Sequence, residues 1–214
     1  IWNPGTAGGA DVPEAILMLP EGENAIIVEK NSQTLFVYAS GKEQPGLAFK
    51  TACSTGEASG VKQVAGDKKT PEGVYFLVDE YEDRYLTPIY GKKAFPTDYP
   101  NLLDRRLGKN GSAIWIHGTN KALKPMDSNG CVALENDSIL HLDPFITLNS
   151  TPVIMVEKAG RTEKELLDKK SGRIRLKIDQ WLTALLKGSY HDYLSFYSPR
   201  YLPDISWWEE WVVL

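Results

Sequence analysis

The chain has 214 residues, enough for one large domain or a domain with a small appendage. Apolar residues make up 42% and charged residues 24%, and the formal net charge is −4 with no long run of one sign. These are the proportions of a water-soluble globular chain, and they argue against a nucleic-acid groove or a polybasic membrane patch. No apolar run approaches the length of a membrane-spanning helix. Two cysteines, Cys53 and Cys131, cannot make a disulfide framework, and three histidines leave little material for a metal site. Neither a metal nor a cofactor is expected.

The opening Ile1-Trp2-Asn3-Pro4 has neither an initiator Met nor a signal-peptide pattern, as expected of a mature or trimmed chain. Residues 1–24 are rich in Gly, Pro and Ala without a clear period and read as an arm or linker. From Ala25 the period becomes two. Ala25 to Lys30 and Thr34 to Ala39 read as a hairpin across Asn31-Ser32-Gln33, and Gly46 to Cys53 as a third strand. Ser54 to Thr70 is a polar loop with Gly56, Gly60 and Gly66. Glu72 to Tyr81 reads as another strand, started by Pro71, and Tyr85 to Pro100 as a long structured loop. Asn101 to Leu107 fits a short helix; Ala113 to His117 and Pro152 to Val156 fit strands.

After Glu157 the pattern turns helical. Thr162-Glu163-Lys164-Glu165 fits a capping box. Ile174, Ile178, Trp181 and Leu185 recur at spacings of three and four, which predicts one apolar stripe packed on a neighbour. Gly188 would end that helix. Ser189 and Ser206 begin two further cap-like starts, and Pro199 stops the first of them. The expected layout is an arm at 1–24, a mainly β domain at 25–158 and a helical segment at 159–214, an α+β fold. Trp207, Trp208 and Trp211, with the apolar end Val212-Val213-Leu214, call for a cover from the first domain, a partner or further chain.

One segment carries chemistry. In Ile114-Trp115-Ile116-His117, strand alternation puts Trp115 and His117 on one face. Gly118-Thr119 follow at once, and Cys131 comes fourteen positions after His117 within Ser128-Asn129-Gly130-Cys131-Val132. A cysteine nucleophile needs a base or positive neighbour to form thiolate, and N–H donors aimed at the developing oxyanion. The intervening loop is long enough to return Cys131 to His117, and Gly130 permits a close backbone approach. A single buried cysteine is usually a small hydrophobe, and a strand-end histidine is usually structural. The two together, with flanking glycines and Ser128, form a chemically specific set. A depressed pKa is expected for Cys131, and a core position for Cys53.

His117-Gly118 and Ser128-x-Gly130-Cys131-Val132 resemble the signature of the L,D-transpeptidase catalytic domain, the YkuD-like family. Ser54-Thr55-Gly56 and Lys69-Thr70-Pro71-Glu72-Gly73 look like further elements of it, so the resemblance spans roughly 25–158. Asn129 and Ala133 depart from it, standing where many members have His and Arg. The resemblance implies a YkuD-like β-sandwich, with Cys131 as nucleophile, His117 as base and the Gly118 carbonyl orienting the imidazole. It also implies an oxyanion hole from the Gly130 and Cys131 amides, and substrate contacts at Ser128, Asn129 and Thr119. The implied substrate is a peptidoglycan stem peptide cleaved between meso-diaminopimelate and D-Ala, in the periplasm or cell envelope. The thioester then passes to an amine in a transpeptidase or to water in a carboxypeptidase. A non-catalytic wall-binding module is the rival class; loss of the cysteine or the histidine would mark it, and both are present.

Other patterns carry less. Gly60 to Thr70 fails the phosphate-loop spacing, since five residues separate Gly60 from Gly66 and Asp67 follows. Asp137 and His141 read as a solvated pair, and His191 has no Cys or His near it. Asn110, Asn136 and Asn149 begin chance glycosylation triplets. Trp181-x-x-Ala184 and Tyr193-Leu194-x-x-Tyr197 weakly resemble the opening helices of a nuclear-transport-factor-2-like module, which follows the catalytic domain in some L,D-carboxypeptidase relatives. The oligomeric state is not legible.

Overall fold

Four successive apolar residues, Ala25-Ile26-Ile27-Val28, occupy a strand whose side chains point alternately to opposite faces, so both faces must be covered. A computed structural model, which describes residues 11–42, 44–204 and Ser206, shows how. Its strands are β1 (Asp11–Pro13), β2 (Asn24–Glu29), β3 (Thr34–Ala39), β4 (Gly46–Ala52), β5 (Gly73–Phe76), β6 (Tyr81–Glu82), β7 (Lys93–Pro96), β8 (Trp115–Thr119), β9 (Val132–Glu135), β10 (Pro152–Val156) and β11 (Arg161–Glu163). Its α-helices are α1 (Leu102–Arg106), α2 (Asn136–Leu142), α3 (Lys164–Leu186) and α4 (Tyr190–Ser195).

A five-stranded mixed sheet runs in the order β4-β3-β2-β10-β5, a four-stranded one β6-β7-β8-β9, and β1 pairs with β11. Ile26 and Val28 of β2 join Val37, Tyr75 and Met155 of their own sheet in one buried core with Phe95, Ile116 and Leu134 of the second sheet. Ile139 and Leu142 of α2 enter the same core. Burial of each such side chain stabilises the fold by about 1.5–3 kcal/mol. The α+β class and the β-rich first domain follow the sequence expectation.

The opposite face of β2 corrects the reading of residues 1–24 as an arm. Ala25, Ile27, Tyr38 and Ile154 pack there against Ile16, with Leu19 and Ala159 at the margin. Val12 is buried, and β1 pairs Asp11 with Glu163. The segment from Asp11 is therefore the lid of the second apolar face; residues 1–10 lie outside the described part. The first compact unit correspondingly runs to Glu163, not 158, and the second begins at Lys164. Because β11 takes Thr162, the expected capping box does not form, and α3 starts at Lys164.

The run 72–81 is not one strand. β5 belongs to the five-stranded sheet and β6 to the four-stranded one, and Leu77 bridges to Thr97 where the chain passes between them. Such corners are where a sandwich hands a strand from one sheet to the other.

In the second unit, Gly188 sits at φ +67°, and the N–H of Ser189 returns to the Ala184 carbonyl, closing α3. Trp181 and Leu185 pack with Ala184, Tyr193 and Phe196, and the Trp181 indole N–H donates to the Tyr197 hydroxyl. Ile174 and Ile178, expected on the same packed stripe, are 39% and 54% exposed. The reason is length: α3 has 23 residues and α4 six, roughly 34 Å against 9 Å at 1.5 Å per residue, so α4 cannot reach the earlier turns. The tryptophan-rich end, 207–214, and most of its expected third helix lie outside the described residues.

Because Ile16 covers β2, Ile16→Ala should destabilise the protein by about 2–4 kcal/mol in urea titration. A mere linker at this position would give no change.

Candidate active site

β8 and β9 are parallel neighbours, with Ile116 opposite Val132 and His117 opposite Ala133. Parallel strands need a crossover of a dozen or more residues, and the stretch from Asn120 to Cys131 supplies it. The crossover returns Cys131 to the start of β9, next to the strand that carries His117. Both side chains line one cavity of about 290 Å³, with Thr119, Ser128 and Asn129 also on its wall. Gly118 and Gly130 are buried beside it and do not line it.

His117 is 6% exposed. Its Nδ1 lies 2.6 Å from the Gly118 carbonyl, which accepts a hydrogen bond from Nδ1–H and so leaves Nε2 as the unprotonated nitrogen. Burial holds its pKa below the ordinary 6.5, against the opposing pull of the Gly118 hydrogen bond. The Tyr90 ring stands edge-on to the imidazole with centroids 5.0 Å apart, and also packs on Trp115. The residue after His117 must be glycine, since a Cβ there would fall 2.4 Å from Asn136 Oδ1. At Gly91, with φ +64°, a Cβ would fall 2.2 Å from the same oxygen. Asn136 Oδ1 accepts from the Lys92 N–H, its Nδ2 donates to Asn120, and Asn120 donates to the Pro88 carbonyl. This chain ties the Tyr90 turn to the histidine strand. Sequence reasoning missed Tyr90, Asn120 and Asn136; the only available signal was the pair of glycines, Gly91 and Gly118.

Around Cys131 the backbone is held by hydroxyls. Ser128 Oγ donates to the Cys131 carbonyl at 2.6 Å and accepts the Gly130 N–H at 3.1 Å. Thr70, fully buried, accepts the Gly56 N–H and donates to the Gly130 carbonyl, each at 2.9 Å. Gly130 adopts φ +121°, and a Cβ there would lie 2.8 Å from the Lys69 carbonyl. The loop behind Thr70 is closed by Lys62, whose ammonium bonds Asp67 at 2.7 Å. Asp67 is held well below the usual carboxylate range: its burial opposes this, but Lys62 and the N–H groups of Gln63, Val64 and Lys69 outweigh it.

Two expectations are corrected here. The Gly130 N–H is not free for an oxyanion, because Ser128 takes it; the Cys131 N–H has no partner among the described residues. For the same reason the Ser128 hydroxyl, expected to contact substrate, is engaged in the turn. The second correction concerns the thiol. Burial pushes the Cys131 pKa up rather than down, only partly countered by the Trp115 N–H and the charge of Lys62. Its Sγ lies 3.4 Å from the Ala113 carbonyl. Half-buried beside a neutral imidazole, the thiolate gains less from Lys62 than it loses to desolvation. Cys53 sits in the core, 2% exposed, with its thiol pushed up to about 12 by burial; both cysteines are free. The Thr119 hydroxyl accepts the Lys121 N–H at the start of the crossover, while Asn129 is exposed on the cavity wall. Asp137 faces Lys92, not His141.

The model of the YkuD L,D-transpeptidase catalytic domain matches residues 23–155. The chain belongs to this family. Among curated relatives, YafK of Escherichia coli (strain K12) is 32% identical over 127 residues, 57% of this chain and 46% of YafK, so the match spans about half of that relative's length. YqjB of Bacillus subtilis (strain 168) is 27% identical over 154 residues, 68% of this chain and 77% of YqjB. Among solved structures, Bd1075 of Bdellovibrio bacteriovorus aligns with a TM-score of 0.78 at 28% identity, covering 95% of this chain and 74% of its own. The helical cell shape determining protein Pgp2 of Campylobacter jejuni aligns with a TM-score of 0.68 at 29% identity, covering 90% and 68%.

Two measurements test this YkuD-family site. Thr70→Val leaves the buried Gly56 N–H and Gly130 carbonyl unpaired and should lower stability by about 1–3 kcal/mol in denaturant titration, with Thr70→Ser restoring most of it. His117, with a folded pKa below its unfolded 6.5, lets the unfolded chain take up the proton first. Its contribution to stability is whole above pH 6.5 and falls away as the pH drops from 6.5 through the lower folded value. Urea midpoints should therefore decline over that window in the wild type and less steeply in His117→Gln.

Proposed function

We propose that the protein is a cysteine acyltransferase of the cell envelope, an L,D-transpeptidase that cleaves the meso-diaminopimelate–D-Ala bond of peptidoglycan tetrapeptide stems. The observation that carries this reading is the shared cavity of Cys131 and His117, with His117 Nδ1 engaged by the Gly118 carbonyl so that Nε2 is left to take a proton. Family membership and the likeness to the cell-shape protein Pgp2 support it. Among the described residues, no helix is long and apolar enough to cross a membrane.

In this mechanism the resting pair is neutral. His117 Nε2 removes the Cys131 proton as Sγ attacks the diaminopimelate carbonyl, so deprotonation and attack are coupled. The oxyanion that forms faces the Cys131 N–H. The imidazolium then protonates the leaving amine, D-Ala departs, and a thioester remains. An incoming amine attacks the thioester and gives up its proton to His117; the C–S bond breaks as the new amide forms, and the imidazolium returns the proton to Cys131 Sγ, while water in place of the amine gives the carboxypeptidase outcome.

Incubation with disaccharide-tetrapeptide muropeptides, read by mass spectrometry, tests the proposal. Loss of D-Ala with cross-linked dimers is expected; loss of D-Ala giving only tripeptide assigns water as the acceptor. Cys131→Ala and His117→Gln should each lower D-Ala release by about 10³-fold or more, and their losses should not add, because the pair acts as one unit. Near-normal turnover in His117→Gln would mean another base. Stem binding with neither turnover nor a thiol adduct would identify a wall-binding module.

A further inference from the structure

The cavity beside Cys131 carries charges that acyl transfer does not use. Lys121, Lys124 and Asp127, all on the crossover between β8 and β9, line it. Among the described residues, none of the three side chains has an ion-pair or hydrogen-bond partner. Their neighbours differ. Glu57, on the same wall, is held by Lys68 at 2.7 Å, and Lys62 below the site is held by Asp67. The cavity wall at Ala133 is uncharged.

These charges sit on a fixed frame. At the start of the crossover the Lys121 N–H donates to Thr119 Oγ1. At its end the Met126 N–H donates to Gln33 Oε1, the Asp127 N–H to Ser54 Oγ and the Ser128 N–H to the Thr55 carbonyl. Gln33 is itself bonded to the Lys30 carbonyl and Thr55. The backbone on both sides of the lysines is therefore set before a ligand arrives, which reduces the ordering cost of binding.

Resting on the acyl-transfer reading, we propose that Lys121 and Lys124 are specificity residues that pair with two carboxylates of the acyl donor, and that Asp127 pairs with its ammonium. The charge pattern, two positive and one negative around the nucleophile, complements a diamino-dicarboxylic acid followed by a residue with a free C-terminal carboxylate. The diamino acid brings a carboxylate and an ammonium at the far end of its side chain, in the same residue as the scissile carbonyl, and the leaving residue brings the second carboxylate. A stem with a simple diamino acid such as lysine lacks one of the two anions, and a C-terminal amide lacks the other.

Calorimetric titration of full-length Cys131→Ala protein with synthetic tetrapeptides tests this. The D-glutamate position is supplied as D-isoglutamine, so that only the two carboxylates in question vary. The meso-diaminopimelate peptide with a free D-Ala carboxylate should bind best. Replacing meso-diaminopimelate by L-Lys, or the terminal carboxylate by an amide, should each weaken binding about five-fold, the upper range for a solvent-accessible ion pair. Adding Lys121→Gln and Lys124→Gln should erase these differences. Asp127→Asn should weaken the peptide with a free ammonium but not its N-acetylated counterpart. In an otherwise wild-type background, the lysine variants should keep the iodoacetamide labelling rate of Cys131, which shows the fold and nucleophile intact. Equal affinities for all the peptides, or no binding of any, overturns the proposal. Charge-selective binding without D-Ala release by the wild type would remove the catalytic reading and leave this one standing. D-Ala release with a KM indifferent to both lysines would do the reverse.

Discussion

One buried hydroxyl holds the site together. Thr70 Oγ1 receives the Gly56 N–H and donates to the Gly130 carbonyl, so a single side-chain atom joins the loop after β4 to the turn that presents Cys131. Both backbone groups would otherwise be buried without partners. The glycines on either side follow from that closeness: at Gly56 a Cβ would come within 2.2 Å of the Lys68 carbonyl, and at Gly130 within 2.8 Å of the Lys69 carbonyl. Ser128 completes the turn from inside. The backbone at Cys131 is thus clamped from two directions by hydroxyls that leave its own N–H untouched.

The electrostatics of the pair follow from burial more than from charge. Both His117 and Cys131 are shifted toward their neutral forms by loss of solvent. A preformed thiolate–imidazolium pair would have to overcome that desolvation. A neutral pair avoids it, and the tautomer held by the Gly118 carbonyl leaves Nε2 unprotonated. A thiol kept protonated in the resting state is also a poorer target for oxidants, since reactivity follows thiolate character.

Much of this was legible in the sequence because the signals were local. The strands at 34–39 and 152–156 came from β-rich runs with clear ends, and the cysteine–histidine set from spacing and flanking glycines. What escaped was set by pairing. β7 and β9 are four residues each, too short for a period to register, and exist through their bonds to β8. The cover at Val12 and Ile16 lies in a Gly- and Pro-rich stretch whose role depends on an apolar face far along the chain. The Cys131 pKa was misjudged because spacing reveals a neighbouring histidine but not how little water reaches the thiol. Likewise Asn136, read as part of a chance triplet, turned out to hold Lys92 and Asn120 through contacts only tertiary structure creates.

The parallel pairing of β8 with β9 has a structural corollary. Strands running the same way cannot be joined by a tight turn, so the topology guarantees a long excursion beside Cys131 and His117. The excursion is pinned at its ends, by Thr119 on one side and by Gln33, Ser54 and Thr55 on the other, while its middle is exposed. Exposed loop tips tolerate substitution and insertion. A change of side chain in this middle, Lys124 included, alters what faces the cavity while the ladder that aligns Cys131 with His117 keeps its register. The fold thereby separates the part that sets the alignment of Cys131 and His117 from the part that sets which charges face them.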